Sequence, residues 1–170
     1  MIIDLSGKTA LVTGGATGLG RGIAKALSNS NANVVITSRN KKNISDTMKV
    51  LNSKSSGYNL DLTKPKDIEI LYKRIKKKYK KVDILVNNIG HTLNIKNPFA
   101  PIDEWKKILG LNFLTAVNLN NKFIKDMKKA NWGRIINITS IAGLEISGPS
   151  TFNVSKAALT AYTRSVGRQL

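Results

Sequence analysis

Residues 11–27 read LVTGGATGLGRGIAKAL. An apolar run passes directly into Gly14, Gly18 and Gly20, and these open an amphipathic helix. Few environments accept that order. It suits a strand buried on both faces, then a tight turn that brings backbone amides together, then a helix N-terminus whose partial positive charge favours an anion. A plain strand-to-helix turn would have the same outline. The glycines following a strand and leading an amphipathic helix favour a nucleotide diphosphate site.

The rest of the chain repeats the strand–helix alternation. Strands are expected at TALVT (9–13), NVVITS (33–38), GYNL (57–60), DILVNN (83–88) and RIINITS (134–140). Helices are expected over 18–30, 43–53, 65–80, 101–128 and 149–170. Near-continuous Val, Ile and Leu runs joined by helical crossovers predict a doubly wound parallel α/β sheet, one domain over 1–170. The last helix is still periodic at Leu170, with no cap and no following strand. The expectation is that the last strands lie outside this sequence, or that a partner covers the 134–140 edge.

Of the 170 residues, 41% are apolar and 22% charged, a globular balance. No window is apolar enough for a membrane span, and the start carries no signal-peptide pattern, so a cytoplasmic protein is expected. There is no cysteine and one histidine, His91, which argues against a metal site. The net charge of +18 raises nucleic acid as a ligand. The lysines are scattered, however, and the one dense run, KRIKKKYKK (73–81), sits on a helix. The apolar stripe of that helix (Ile68, Leu71, Tyr72, Ile75, Tyr79) turns them to solvent. No nucleic-acid partner is therefore expected.

The glycine spacing is TGxxxGxG, and here the chain resembles the short-chain dehydrogenase/reductase family. NNIG (87–90) is similar to that family's NNAG turn. Asn112 in LGLNFLTA matches its helix asparagine, INITSIAG (136–143) its serine segment and FNVSKAAL (152–159) its YxxxK segment. The resemblance, closest to 3-oxoacyl-carrier-protein reductase-like members, implies a Rossmann-type sheet, a nicotinamide cofactor, a ketone/alcohol substrate and a homo-oligomer. It implies cofactor contacts from Gly14, Thr17, Gly18, Leu19, Gly20, Ser38, Arg39, Asp61, Leu62, Asn88, Gly90 and Lys156. Asp61 alternatively caps the helix that follows, in competition with Thr63.

The second predicted strand ends in Ser38 and Arg39, where a carboxylate would select NAD(H). Arg39 can instead pair with a 2′-phosphate, so NADP(H) is favoured over NAD(H). Arg39 could also be a solvated residue leading a helix.

The resemblance places catalytic roles on Asn112, Ser140 and Lys156. Its tyrosine, the usual proton donor, is Phe152 here. Tyr162 lies six residues past Lys156 on another helix face and cannot replace it. His91, Ser140 or a water held by Lys156 and Asn112 could supply the proton. Alternatively, the chain binds NADP(H) without turnover.

Overall fold

The computed structural model describes residues 3–145 and 147–169. Five parallel strands form one sheet in the order β3-β2-β1-β4-β5, with β1 at Thr9–Val12, β2 at Asn33–Ser38, β3 at Ser56–Asn59, β4 at Ile84–Asn87 and β5 at Arg134–Asn137. The reversal of direction at β1 is the doubly wound topology expected from the sequence. Helices alternate with the strands: α1 Gly18–Asn29, α2 Lys41–Met48, α3 Pro65–Tyr79, α4 Ile102–Leu109, α5 Thr115–Lys129 and α6 Ser150–Gly167. Helix α6 ends at Gly167 with Arg168 as its C-cap, short of the predicted end at Leu170, which itself lies outside the described residues.

The chain divides into two units. One comprises the chain through Asn88 together with Leu119–Ile136; the other comprises Ile89–Asn118 and Asn137 onward. In the first, β1 pairs with β2 from Thr9↔Asn33 to Val12↔Ile36 and with β4 from Ala10↔Ile84 to Val12↔Val86. Central strand residues such as Leu11, Val34, Val35 and Leu85 have no exposed surface. Burial on both faces is why these strands read as unbroken apolar runs. Asp83, just before β4, is buried as well. It accepts the Thr9 amide at 2.9 Å and pairs with Lys81 at 2.8 Å, which offsets the cost of burying a carboxylate.

Leu71 and Ile75 of α3 and Leu119 and Phe123 of α5 complete this core. The Phe123 ring packs against Tyr72 with centroids 5.6 Å apart. Phe123→Ala is expected to destabilise the protein by about 3–5 kcal/mol, read from denaturant unfolding. A loss below about 1 kcal/mol would show that the site collapses around the gap.

Several boundaries differ from the sequence expectation. Helix α2 starts at Lys41 because the Asn40 side chain caps it, accepting the Asn43 amide at 3.1 Å, and it stops at Met48. Asn52, expected inside that helix, instead donates its side-chain amide to Ala32 O at 2.7 Å. The 101–128 helix is interrupted by a π-turn at Gly110–Leu114 between α4 and α5. Strand β5 ends at Asn137, and Ser140 instead caps a 3-10 turn, Ile141–Gly143. Finally, neither Asp61 nor Thr63 caps α3. The N-cap is Lys64, and Asp61 folds onto Thr63 as a local turn.

The 73–81 lysines are not all free in solvent. Lys76 pairs with Asp126 at 3.1 Å, Lys78 donates to Ser56 Oγ at 2.6 Å and Lys81 holds Asp83. These contacts tie α3 to its neighbours and account for part of the basic run. Among the described residues, no helix is long and apolar enough to cross a membrane.

Candidate functional site

In the first unit, β1 delivers Thr13 to the glycine turn. Gly14 and Gly18 have φ of 61° and 50°, in the left-handed region that favours glycine. At Gly20 the constraint is space: a Cβ there would lie 2.4 Å from Gly14 O and 2.5 Å from Asn88 Nδ2. Asn88 secures the turn. Its side-chain amide donates to Thr13 O at 3.1 Å and to Gly14 O at 3.3 Å, and its backbone amide donates to Thr13 Oγ1 at 3.0 Å. Thr17 caps α1 by backbone geometry alone, without a side-chain hydrogen bond, and both Thr17 and Leu19 are exposed. The first amides of α1 are thus presented outward to an anion. This cradle fits the diphosphate of a dinucleotide.

The other cofactor candidates of this unit vary in how they present themselves. Ser38 ends β2 and its Oγ accepts the Asn40 amide at 3.1 Å; Arg39 is exposed. Burial raises the Asp61 pKa, but hydrogen bonds from Thr63 outweigh it, and the Arg39 charge adds to them, so the net direction is down. Leu62 is 2% exposed. Its side chain belongs to the core and presents no surface to a ligand. Asn88 has its amide committed to the turn and acts as a structural tie there.

The second unit gathers the catalytic candidates. The π-turn carries Asn112 inward, where it is 1% exposed. Asn112 Oδ1 accepts the His91 amide at 2.9 Å, while Nδ2 donates to His91 O at 3.0 Å and Ile108 O at 3.1 Å. This side chain clamps the backbone of the NNIGH turn and leaves no donor for a water.

Gly90, expected among the cofactor contacts, lies beside Lys156. A Cβ on it would sit 2.9 Å from Lys156 Nζ and 3.0 Å from Asn112 Oδ1. Lys156, on the buried side of α6, donates to Ile138 O at 2.8 Å. The Phe152 ring centroid is 5.7 Å from Nζ. The Ser140 segment packs on the same helix, and a Cβ on Gly143 would lie 2.8 Å from the Lys156 carbonyl carbon. Ser140 Oγ accepts the Ala142 amide at 3.2 Å, so its own proton is free to be donated.

His91 was the loose end of the sequence. Its ring is exposed, and Nδ1 accepts the Leu93 amide at 2.8 Å. Leu93 and Asn94 both hold positive φ, 53° and 58°, an uncommon conformation for leucine. Thr151 at the head of α6 donates to Ile95 O at 3.3 Å, pinning the end of this turn. The π-turn and this double left-handed turn had no clear signature in the sequence. Tyr162 stacks edge-on against Phe113, with centroids 5.8 Å apart. No group of three or more candidate metal ligands occurs among the described residues.

A doubly wound parallel sheet, a glycine cradle opening α1, and a buried lysine beside a serine segment define a dinucleotide-binding α/β protein of the oxidoreductase type. The chain belongs to the short chain dehydrogenase family, whose model matches residues 8–170. It is 32% identical over 169 residues to the 3-oxoacyl-[acyl-carrier-protein] reductase FabG of Vibrio cholerae, covering 99% of this chain and 69% of that protein. To the Haemophilus influenzae FabG it is 33% identical over 167 residues, covering 98% and 69%. Among solved structures it is similar to a 7 alpha-hydroxysteroid dehydrogenase complexed with NADH and 7-oxo glycochenodeoxycholic acid, with TM-score 0.91 and 26% identity, covering 99% of this chain and 67% of that one. A short-chain dehydrogenase from Streptomyces avermitilis superposes with TM-score 0.85 and 26% identity, covering 95% and 60%.

Proposed function

We propose that the chain is the core of an NADP(H)-dependent reductase that interconverts a ketone and an alcohol, with 3-oxoacyl thioesters the first substrates to test. The observation that carries this reading is the joining of the Ser140 segment, Asn112 and buried Lys156 in one unit. When bound, the nicotinamide supplies hydride to the carbonyl carbon. The glycine turn of the first unit would hold the diphosphate, and Ser140 would donate a hydrogen bond to the substrate oxygen. Asn112 fixes the turn that carries Gly90 and His91. Leu114 and Val154, each 47% exposed, support the expected self-association.

The preference for NADP(H) rests on Ser38 and exposed Arg39 at the end of β2. Arg39→Ala is expected to weaken NADPH binding by about 10–100-fold, the worth of a charge-assisted hydrogen bond, and to leave NADH affinity within about threefold. Fluorescence titration with both cofactors checks it. Equal losses for the two would remove the 2′-phosphate assignment.

A second reading, a cofactor-binding protein without turnover, is favoured by Phe152 alone. NADPH oxidation with a panel of 3-oxoacyl thioesters and simple ketones separates the two. Tight NADPH binding with no turnover across the panel would support the second.

A further inference from the structure

We infer that the Lys156 ammonium itself delivers the proton to the substrate oxygen, directly or through one water, an assignment that rests on the reductase reading above. Phe152 has no proton to give, and the other candidates fail on chemistry. The Ser140 hydroxyl is too weak an acid. His91 accepts the Leu93 amide at Nδ1, so that nitrogen has no proton to give, and the residue is exposed to solvent.

Lys156 differs on every count. It is 3% exposed, and one of its three N–H donors is spent, on Ile138 O at 2.8 Å. The Phe152 ring lies to one side, and Gly90 leaves open the space in which a Cβ would come within 2.9 Å of Nζ. Burial lowers its pKa, because the ammonium loses hydration without a carboxylate to compensate.

The elements around Lys156 add little charge. The π-turn and the 3-10 turn carry no titratable side chain. On α4, Asp103, Lys106 and Lys107 are exposed and Glu104 is half-buried; His91 on the adjoining turn is exposed. Tyr162 and Arg164 lie further along α6.

In reduction, the carbonyl carbon gains the hydride and the π pair of C=O moves onto oxygen. That oxygen takes a proton as an Nζ–H bond breaks. The products are the alcohol, the oxidised cofactor and a neutral Lys156 amine, which regains a proton from water. The acid must be protonated to act, so kcat falls as pH rises through the Lys156 pKa, below the ordinary lysine range.

Lys156→Arg keeps the charge but removes a releasable proton, since arginine stays protonated. It is expected to lower kcat for ketone reduction by about 10²–10³-fold. Restoring an aromatic acid in Phe152→Tyr/Lys156→Arg is expected to recover at least about tenfold of that loss. Rescue would also show that the arginine variant is folded. Independently of turnover, NMR titration of the Lys156 side chain in cofactor-free protein is expected to show a transition below that of the surface lysines.

Three results would overturn the assignment: kcat of Lys156→Arg within about threefold of wild type, a Lys156 resonance titrating with the surface lysines, or turnover by Phe152→Tyr where wild type has none. The first two leave the reductase reading standing, and the third favours the cofactor-binding reading without turnover. Absence of NADPH binding together with no turnover by Phe152→Tyr would overturn both.

Discussion

Gly20→Ala is expected to weaken NADPH binding by at least about 10²-fold and to cost about 1–3 kcal/mol of stability. The added methyl would meet Gly14 O at 2.4 Å and the Gly14 carbonyl carbon at 3.0 Å. Both are backbone atoms of the turn, so no rotamer change relieves the clash. The third neighbour, Asn88 Nδ2 at 2.5 Å, holds that same turn through Thr13 O and Gly14 O. Relief therefore requires opening the turn or losing its tie, and either one displaces the amides presented to the diphosphate. Cofactor titration by fluorescence and thermal unfolding of the same preparation check the two effects. Wild-type affinity in a destabilised variant would mean that this turn does not hold the diphosphate.

Phe152→Tyr is expected to raise kcat for ketone reduction on the order of 10²-fold, the lower part of the range for a positioned general acid. The ring is already seated on α6 with Lys156 Nζ 5.7 Å from its centroid. The substitution adds a hydroxyl without otherwise enlarging the side chain. A neighbouring positive charge favours the phenolate, so the phenol pKa falls below its free value of about 10. The acid must be protonated to act in reduction. The alkaline fall in kcat should therefore follow the phenol in the variant, where in wild type it follows Lys156. A pH–rate profile of both proteins distinguishes these. A variant no faster than wild type would mean that proton delivery does not limit turnover.

Much of the fold could be read from local pattern. Strand β2 falls at Asn33–Ser38 as expected, because a strand buried on both faces must be apolar throughout. The boundaries that shifted were decided by single polar side chains. Asn40 begins α2 early, and Ser140 turns the chain after β5 instead of extending it. A periodicity argument averages over several residues and is blind to one capping oxygen. The π-turn escaped for a related reason: apolar spacing around Asn112 is compatible with an unbroken helix, and the extra residue per turn shows only in hydrogen bonding.

The candidate site was legible as a set of positions rather than as an arrangement. Ser140, Asn112, Lys156 and the Phe152 departure all stood in the sequence. Asn112 as a clamp on His91, and Gly90 as the space beside Lys156, did not. Leu62 likewise matched a contact pattern while its side chain went to the core.

By itself the sequence determined the parallel α/β class, the glycine turn and the absence of an aromatic hydroxyl at position 152. Periodicity, glycine spacing and side-chain identity are properties of the chain read in order. Only the tertiary structure decided that Lys156 is buried with one backbone carbonyl for a partner, and that His91 is held through its backbone by Asn112. Protonation depends on hydration and on neighbours distant in the chain. Residues separated by 18 positions in the case of Lys156 and Ile138, and by 21 for His91 and Asn112, must first be brought together by packing.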